Sequence, residues 1–193
     1  RILIGGVLLF FGWLLLPMFI IAGYLVRSLG QVSVDPEADP LPFEDWGGLL
    51  VEGLKATVIS LAYALIPLVF IGVMLVVVGV GGSADSGIVA GVGMLGLLTT
   101  LPGILVIQYL VPAALTNFAR EGSIAAAFDF AALKPVLVSK SYILATILIF
   151  GVSVIGGMVL SFLSIFLIGI VLAPFYYFWL ALAGQYMYGR AFA

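Results

Sequence analysis

The 193-residue chain is 64% hydrophobic and 8% charged, with a mean hydropathy of +1.35; soluble domains carry about 25% charged residues, and roughly a third of the surface of a chain this size stays in water after folding, so the solvent here is a bilayer. Seven basic and nine acidic residues give a net charge of −2 and a pI near 4.8, without the clustered basic face that a nucleic-acid partner requires. Cysteine and histidine are absent, which excludes disulfides, thiolate or imidazole zinc sites, and Cys or Ser nucleophiles served by a His base.

A spanning helix needs about 20 mostly apolar residues. Residues 2–26 supply the first candidate, closed by Arg27, and the stretch is too long and lacks the cleavage pattern of a signal peptide. Pro17 divides it, so a re-entrant hairpin is the alternative to a crossing. Because the sequence opens on Arg1 rather than Met, a few further residues are expected to precede it. The connector over 32–46 is rich in acids and prolines; Pro36, Pro40 and Pro42 keep it extended. Asp35, Glu37 and Asp39 have the spacing that opens a calcium loop, but Pro40 replaces the turn glycine and Trp46 the closing glutamate, so a solvated acidic loop is the better reading.

From Trp46 the periodicity becomes helical. Trp46, Leu49, Leu50, Gly53, Leu54 and Thr57 share one face and Gly48, Glu52 and Lys55 another, with Asp45 placed to cap the start. This predicts an amphipathic helix over 46–55 lying in the headgroup layer and feeding a second span over 57–80 with a kink at Pro67. A turn over 81–87 leads to a third span over 88–114. A second amphipathic helix is expected over 123–134. The uncharged run over 141–189 is too long for one crossing and should fold back near 156–164, giving spans at about 142–160 and 165–188.

The fold class is therefore an all-α integral membrane protein, one polytopic domain over 1–193, with about five transmembrane helices and two interfacial amphipathic helices. "GYLVRSL" (23–29) and "QYLVPAAL" (108–115) end spans seven residues after a proline, and "FEDWGGLL" (43–50) and "FDFAAL" (128–133) open the amphipathic helices. These pairs suggest a parallel internal repeat, about 2–80 and 88–160, before a final span. With five spans, Arg27, Lys55, Arg120, Lys134, Lys140 and Arg190 lie on one side and Arg1 alone on the other, and the positive-inside rule makes the loaded side cytoplasmic. The expected location is the cell membrane, with most connecting loops cytoplasmic.

"ILIGGVLL" followed by Pro17 and "GYLVRSL", then "FEDWGGLLVEGLKATVISLAYALIP" and the closing "PFYYFWLALAGQYMYGRAF" resemble the archaeal membrane proteins grouped as domain of unknown function 4013. The most specific piece comprises Trp46, Leu49, Gly53, Leu54 and Lys55. The resemblance implies a polytopic membrane protein, often from salt-loving archaea, and implies no activity.

The chemistry is sparse. Glu44 and Asp45 are adjacent and point apart, which does not suit acid–base catalysis. No ionisable residue falls at mid-membrane depth; Thr99, Thr100, Tyr176 and Tyr177 are the candidate intramembrane polar sites, and helix packing is the better reading of them than a solute path. The runs Gly87/Gly91 and Ser153/Gly157/Ser161 suit close helix packing. No catalytic, metal or cofactor site is expected. The candidate docking surface is Arg27, Trp46, Glu52, Lys55, Arg120, Phe128, Asp129 and Lys134, with Trp46 and Phe128 in the headgroup boundary and Glu52, Lys55, Asp129 and Lys134 wet. The expected role is a non-enzymatic scaffold or accessory subunit, with membrane lipids and another membrane protein or a second copy as partners. A carrier or channel for a small or lipid-like solute is the alternative, and a lipid-modifying enzyme ranks third.

Overall fold

The structure is a computed structural model and describes residues 1–193, the side chain of Trp13 excepted. Its helices are α1 (Ile2–Phe10), α2 (Leu16–Val34), α3 (Trp46–Ser83), α4 (Gly87–Glu121), α5 (Phe130–Leu137), α6 (Lys140–Ser164) and α7 (Ile168–Arg190), with 3-10 turns at Gly12–Leu14 and Ile124–Phe128. Five of them, α2, α3, α4, α6 and α7, are long and apolar enough to cross a bilayer. Helices serve because the hydrocarbon core offers no partner to a free N–H or C=O, so each must be satisfied within its own segment. The chain is an all-α, multi-pass membrane protein.

The chain forms two compact units, Arg1–Ile59 with Pro112–Ala193, and Ser60–Val111. The second is a helical hairpin made by the later part of α3 and the earlier part of α4. Its turn is closed by the Ser86 N–H on the Gly81 carbonyl at 2.8 Å. A Cβ on Gly81 would overlap the Ala90 backbone, and one on Gly93 or Gly96 would meet Val78 or Met74. Missing side chains thus let the two helices approach closely, as small residues do between membrane helices.

In the first unit, residues 2–26 are not one crossing. The apolar run breaks at Phe11–Leu15, where Leu15 adopts φ 64° and Pro17 sits in the first turn of α2, a position a proline tolerates. Helix α1 then runs antiparallel to α2. Gly5 lies against Phe178 and Gly6 against Phe175, so α1 descends α7, whereas Tyr24 lies 6.0 Å from Phe178 and Val32 against Gly189, so α2 ascends it. Rings from α7 fill the space where α1 has no side chain. The segment is a helical hairpin broken before Pro17, and its second arm, α2, is by itself long and apolar enough to cross a bilayer. Arg1 is consequently not segregated from the other basic residues, as the site below shows.

The amphipathic helices also differ from expectation. Residues 46–55 are not a separate flat helix; they are the first turns of the continuous 38-residue α3. Nothing breaks the helix after Lys55, and its start is pinned by tight packing on α2. A Cβ on Gly53 would overlap the Phe19 carbonyl, and one on Gly23 the Leu49 carbonyl. The inward face is Leu49, Gly53, Ala56 and Ile59, while Val51, Leu54 and Val58 are exposed. Residues 123–134 form a 3-10 turn and α5, divided at Asp129, whose carboxylate accepts the Ala131 and Ala132 N–H groups and starts α5 afresh. The fold-back between α6 and α7 falls at residues 165–167, just past the expected window of 156–164, where Leu167 adopts φ 63°.

Candidate functional site at the strapped loop

Residues 35–45 carry three prolines, which have no N–H to donate, and the loop makes few backbone bonds of its own. Side chains from three helices satisfy its carbonyls. Arg1 donates to the Leu41 and Pro40 carbonyls, each at 3.2 Å, and the Tyr24 hydroxyl joins it on Leu41 at 3.0 Å. The Gln31 amide reaches the Asp39 carbonyl at 3.0 Å, the Tyr186 hydroxyl the Ala38 carbonyl at 3.2 Å, and Arg190 the Pro36 carbonyl at 3.3 Å. Arg190 also stands 3.7 Å from the Glu37 carboxylate. The loop is strapped to the start of α1, to α2 and to the end of α7.

At its far end the loop meets a charged cluster. Arg27 of α2 donates through Nε and Nη2 to both Glu52 carboxylate oxygens of α3, at 3.0 and 2.8 Å, and through Nη2 to Asp45 at 3.1 Å. Asp45, at φ 53°, also accepts the Gly48 N–H at 3.1 Å and so caps α3. The Gly48 N–H first, and Arg27 second, hold the Asp45 carboxyl below its ordinary value of 3.8. Beneath the cluster, Phe43 stacks on Tyr24 at 4.0 Å and Trp46 flanks Phe43 at 6.1 Å, over a buried core of Ile21, Tyr24, Leu49 and Phe178.

Two cavities adjoin the loop, of about 350 and 380 Å³. The first lies between α1, α2, α7 and the loop, with apolar walls from Ile2, Leu3, Val32, Pro40, Leu41 and Leu182. The second has Arg27, Glu52 and Lys55 on its wall, opposite Phe118 and Ala119 of α4. Gln31 and Leu41 line both.

The family described as "Protein of unknown function (DUF4013)" matches residues 7–165. The chain belongs to that family. No curated protein and no solved structure matches it. The DUF4013 match contains the whole loop, α2, and the Arg27–Glu52–Asp45 cluster, and it stops before α7, which supplies Tyr186 and Arg190.

Of the docking residues expected from this DUF4013 sequence, the structure brings Arg27, Glu52 and Lys55 together around one cavity, with Trp46 beside them over Phe43. Glu52 is about one-third exposed, its carboxylate held by the Arg27 fork. Trp46 is 47% exposed. Arg120 instead lies 5.7 Å from the Phe192 ring. Phe128 ends the 3-10 turn, 38% exposed; Asp129 is the cap of α5, and Lys134 is exposed on α5. Thr99 and Thr100 return their hydroxyls to the Gly96 and Leu97 carbonyls, Tyr176 donates to the Val152 carbonyl, and Tyr177 packs edge-on against Tyr176. Sequence reasoning missed the strap itself. Its signal was present: Tyr24, Ser28 and Gln31 form a polar stripe at helical spacing, facing a segment of prolines whose carbonyls need donors.

Proposed function

We propose that this DUF4013 protein is a non-enzymatic scaffold or accessory subunit of a membrane assembly, docking through the rim around Arg27, Glu52 and Trp46. The observation that carries the reading is Trp46, which stands half-exposed in the first turn of α3 on a base stiffened by the Arg27 fork and the Asp45 cap. A large aromatic on a preorganised support anchors partners at low entropic cost. The acids of the rim are occupied in pairing and capping, which supports a binding role over an acid–base one. In this reading the rim faces the cytoplasm from the cell membrane, because Arg1, Arg27 and Arg190 all converge on the loop and positive charge favours that side. Thr99, Thr100 and Tyr176 spend their hydroxyls on helix carbonyls, which argues against the solute-path alternative.

Mild purification from native membranes, with quantitative mass spectrometry, tests the proposal. Wild-type protein should carry a component at fixed stoichiometry that Trp46→Ala loses while inserting to the same level. Recovery of the same components in the same ratio from both proteins would remove the docking role.

A further inference from the structure

We infer that the two cavities beside the strapped loop form one binding site for a single-chain lipid with an anionic headgroup. The inference goes beyond the scaffold reading and does not depend on it. The first cavity is apolar for a specific reason. Its polar wall residues are already committed: Arg1, Tyr24, Gln31 and Tyr186 donate to loop carbonyls, and Ser28 donates to the Tyr24 carbonyl. What remains to face a ligand is hydrocarbon from Ile2, Leu3, Val32, Leu41 and Leu182. Its volume of about 350 Å³ is at the low end for ligand pockets, which suits one chain and not two.

The second cavity has the complementary chemistry. Its ionisable wall is Arg27, Lys55 and Glu52, two positive charges and one negative, hence a net +1. Arg27 is shared between Glu52 and Asp45, which brings the cluster as a whole to zero, whereas Lys55 has no ion-pair partner among the described residues. The α4 C-terminal turn also ends here, and its Arg120 and Glu121 carry opposite charges that offset each other. The Lys55 ammonium is therefore the cation left for a phosphate or carboxylate. Gln31 and Leu41 line both cavities, and the inferred ligand, with its head at Lys55, would lay its chain past Leu41 to reach the apolar one.

Titration of oleoyl-lysophosphatidate into the full chain, held in phosphatidylcholine nanodiscs, tests the inference. Saturable binding of one molecule per chain is expected. Lys55→Gln should weaken it about tenfold, the value of one charge-assisted hydrogen bond, and uncharged monoolein should be weaker by a similar factor. Leu41→Trp, which obstructs the shared wall, should also lose affinity, and Leu3→Trp checks the same cavity from α1 should Leu41→Trp fail to fold. Lys134→Gln, a cation on α5, should bind as wild type, and inorganic phosphate at equal concentration should not displace the probe. Absence of saturable binding, unchanged affinity in Lys55→Gln, an equal loss in Lys134→Gln, full displacement by phosphate alone, or equal binding of monoolein would each overturn the inference. Its failure is separable from that of the scaffold reading, which Trp46→Ala co-purification reports and lipid titration does not.

Discussion

Arg27 meets Glu52 as a two-pronged fork, its Nε and Nη2 at 3.0 and 2.8 Å from the two carboxylate oxygens, and so bolts α2 to the start of α3. The planar guanidinium matches the carboxylate in a way a lysine ammonium cannot. Arg27→Lys should therefore destabilise the protein even though charge is kept. Both side chains are about one-third exposed, so the loss should fall between the exposed and buried limits for ion pairs, about 1–2 kcal/mol. Thermal unfolding in detergent, with Glu52→Gln as the partner variant and the double variant closing the cycle, measures it.

Asp45 gives this junction a pH dependence. Its carboxyl is held below the ordinary 3.8 by the Gly48 N–H and then by Arg27, so its contribution is present above that value and is lost as pH falls through the lowered one. The expected result is a fall in unfolding temperature in the acid range below about pH 4. Asp45→Asn tolerates the left-handed backbone and keeps a capping oxygen, but it no longer titrates and should flatten the whole Asp45 part of the profile.

The α2–α3 crossing depends on two absent side chains. A Cβ on Gly53 would overlap the Phe19 carbonyl, and backbone cannot rotate away as a side-chain tip can. Gly53→Ala should cost about 1–3 kcal/mol or more by forcing the helices apart. The same change at Gly72, where nothing lies within 4 Å, should be neutral or mildly stabilising. Equal melting temperatures for the two variants would contradict the crossing.

Orientation is open to cysteine labelling in a chain that has no cysteine of its own. Glu37→Cys, at a side chain 91% exposed, should label only after the inner face is opened, and Ser83→Cys from outside intact cells. Ser33, although in the same region, is buried and would mislead as a probe. Labelling of both sites from one side would contradict the cytoplasmic placement of the loop.

Much of the architecture was readable from composition and run length alone. The bilayer, the long apolar helices and the cap at Asp45 follow from local sequence. The α1–α2 hairpin did not, because Pro17 marks a break without saying whether the chain turns. That is decided by Phe175 and Phe178 of α7 entering the spaces at Gly6 and Gly5, a contact between opposite ends of the chain. The apolar face of α3 was legible in part: Leu49 and Gly53 are buried, whereas Trp46 and Leu54 of the same face are exposed. Amphipathic periodicity assigns large apolar residues to the inside, but in a membrane bundle Gly53 and Ala56 are inside because they let backbones meet, and Val51, Leu54 and Val58 are exposed. Lys55 was legible as a charge at the rim, but the cavity beside it was not, since Phe118 and Ala119 reach it from α4.

The most direct test of the docking rim is a photo-crosslinking amino acid placed at Trp46 and activated in intact native membranes. Trp46 is half-exposed on a base fixed by Arg27, Glu52 and Asp45, so a probe there reports what touches the rim in place. The account predicts a discrete crosslinked protein of fixed mass, absent when the probe stands at Phe150 on the exposed apolar face of α6. Crosslinks to lipid alone at both positions would contradict it.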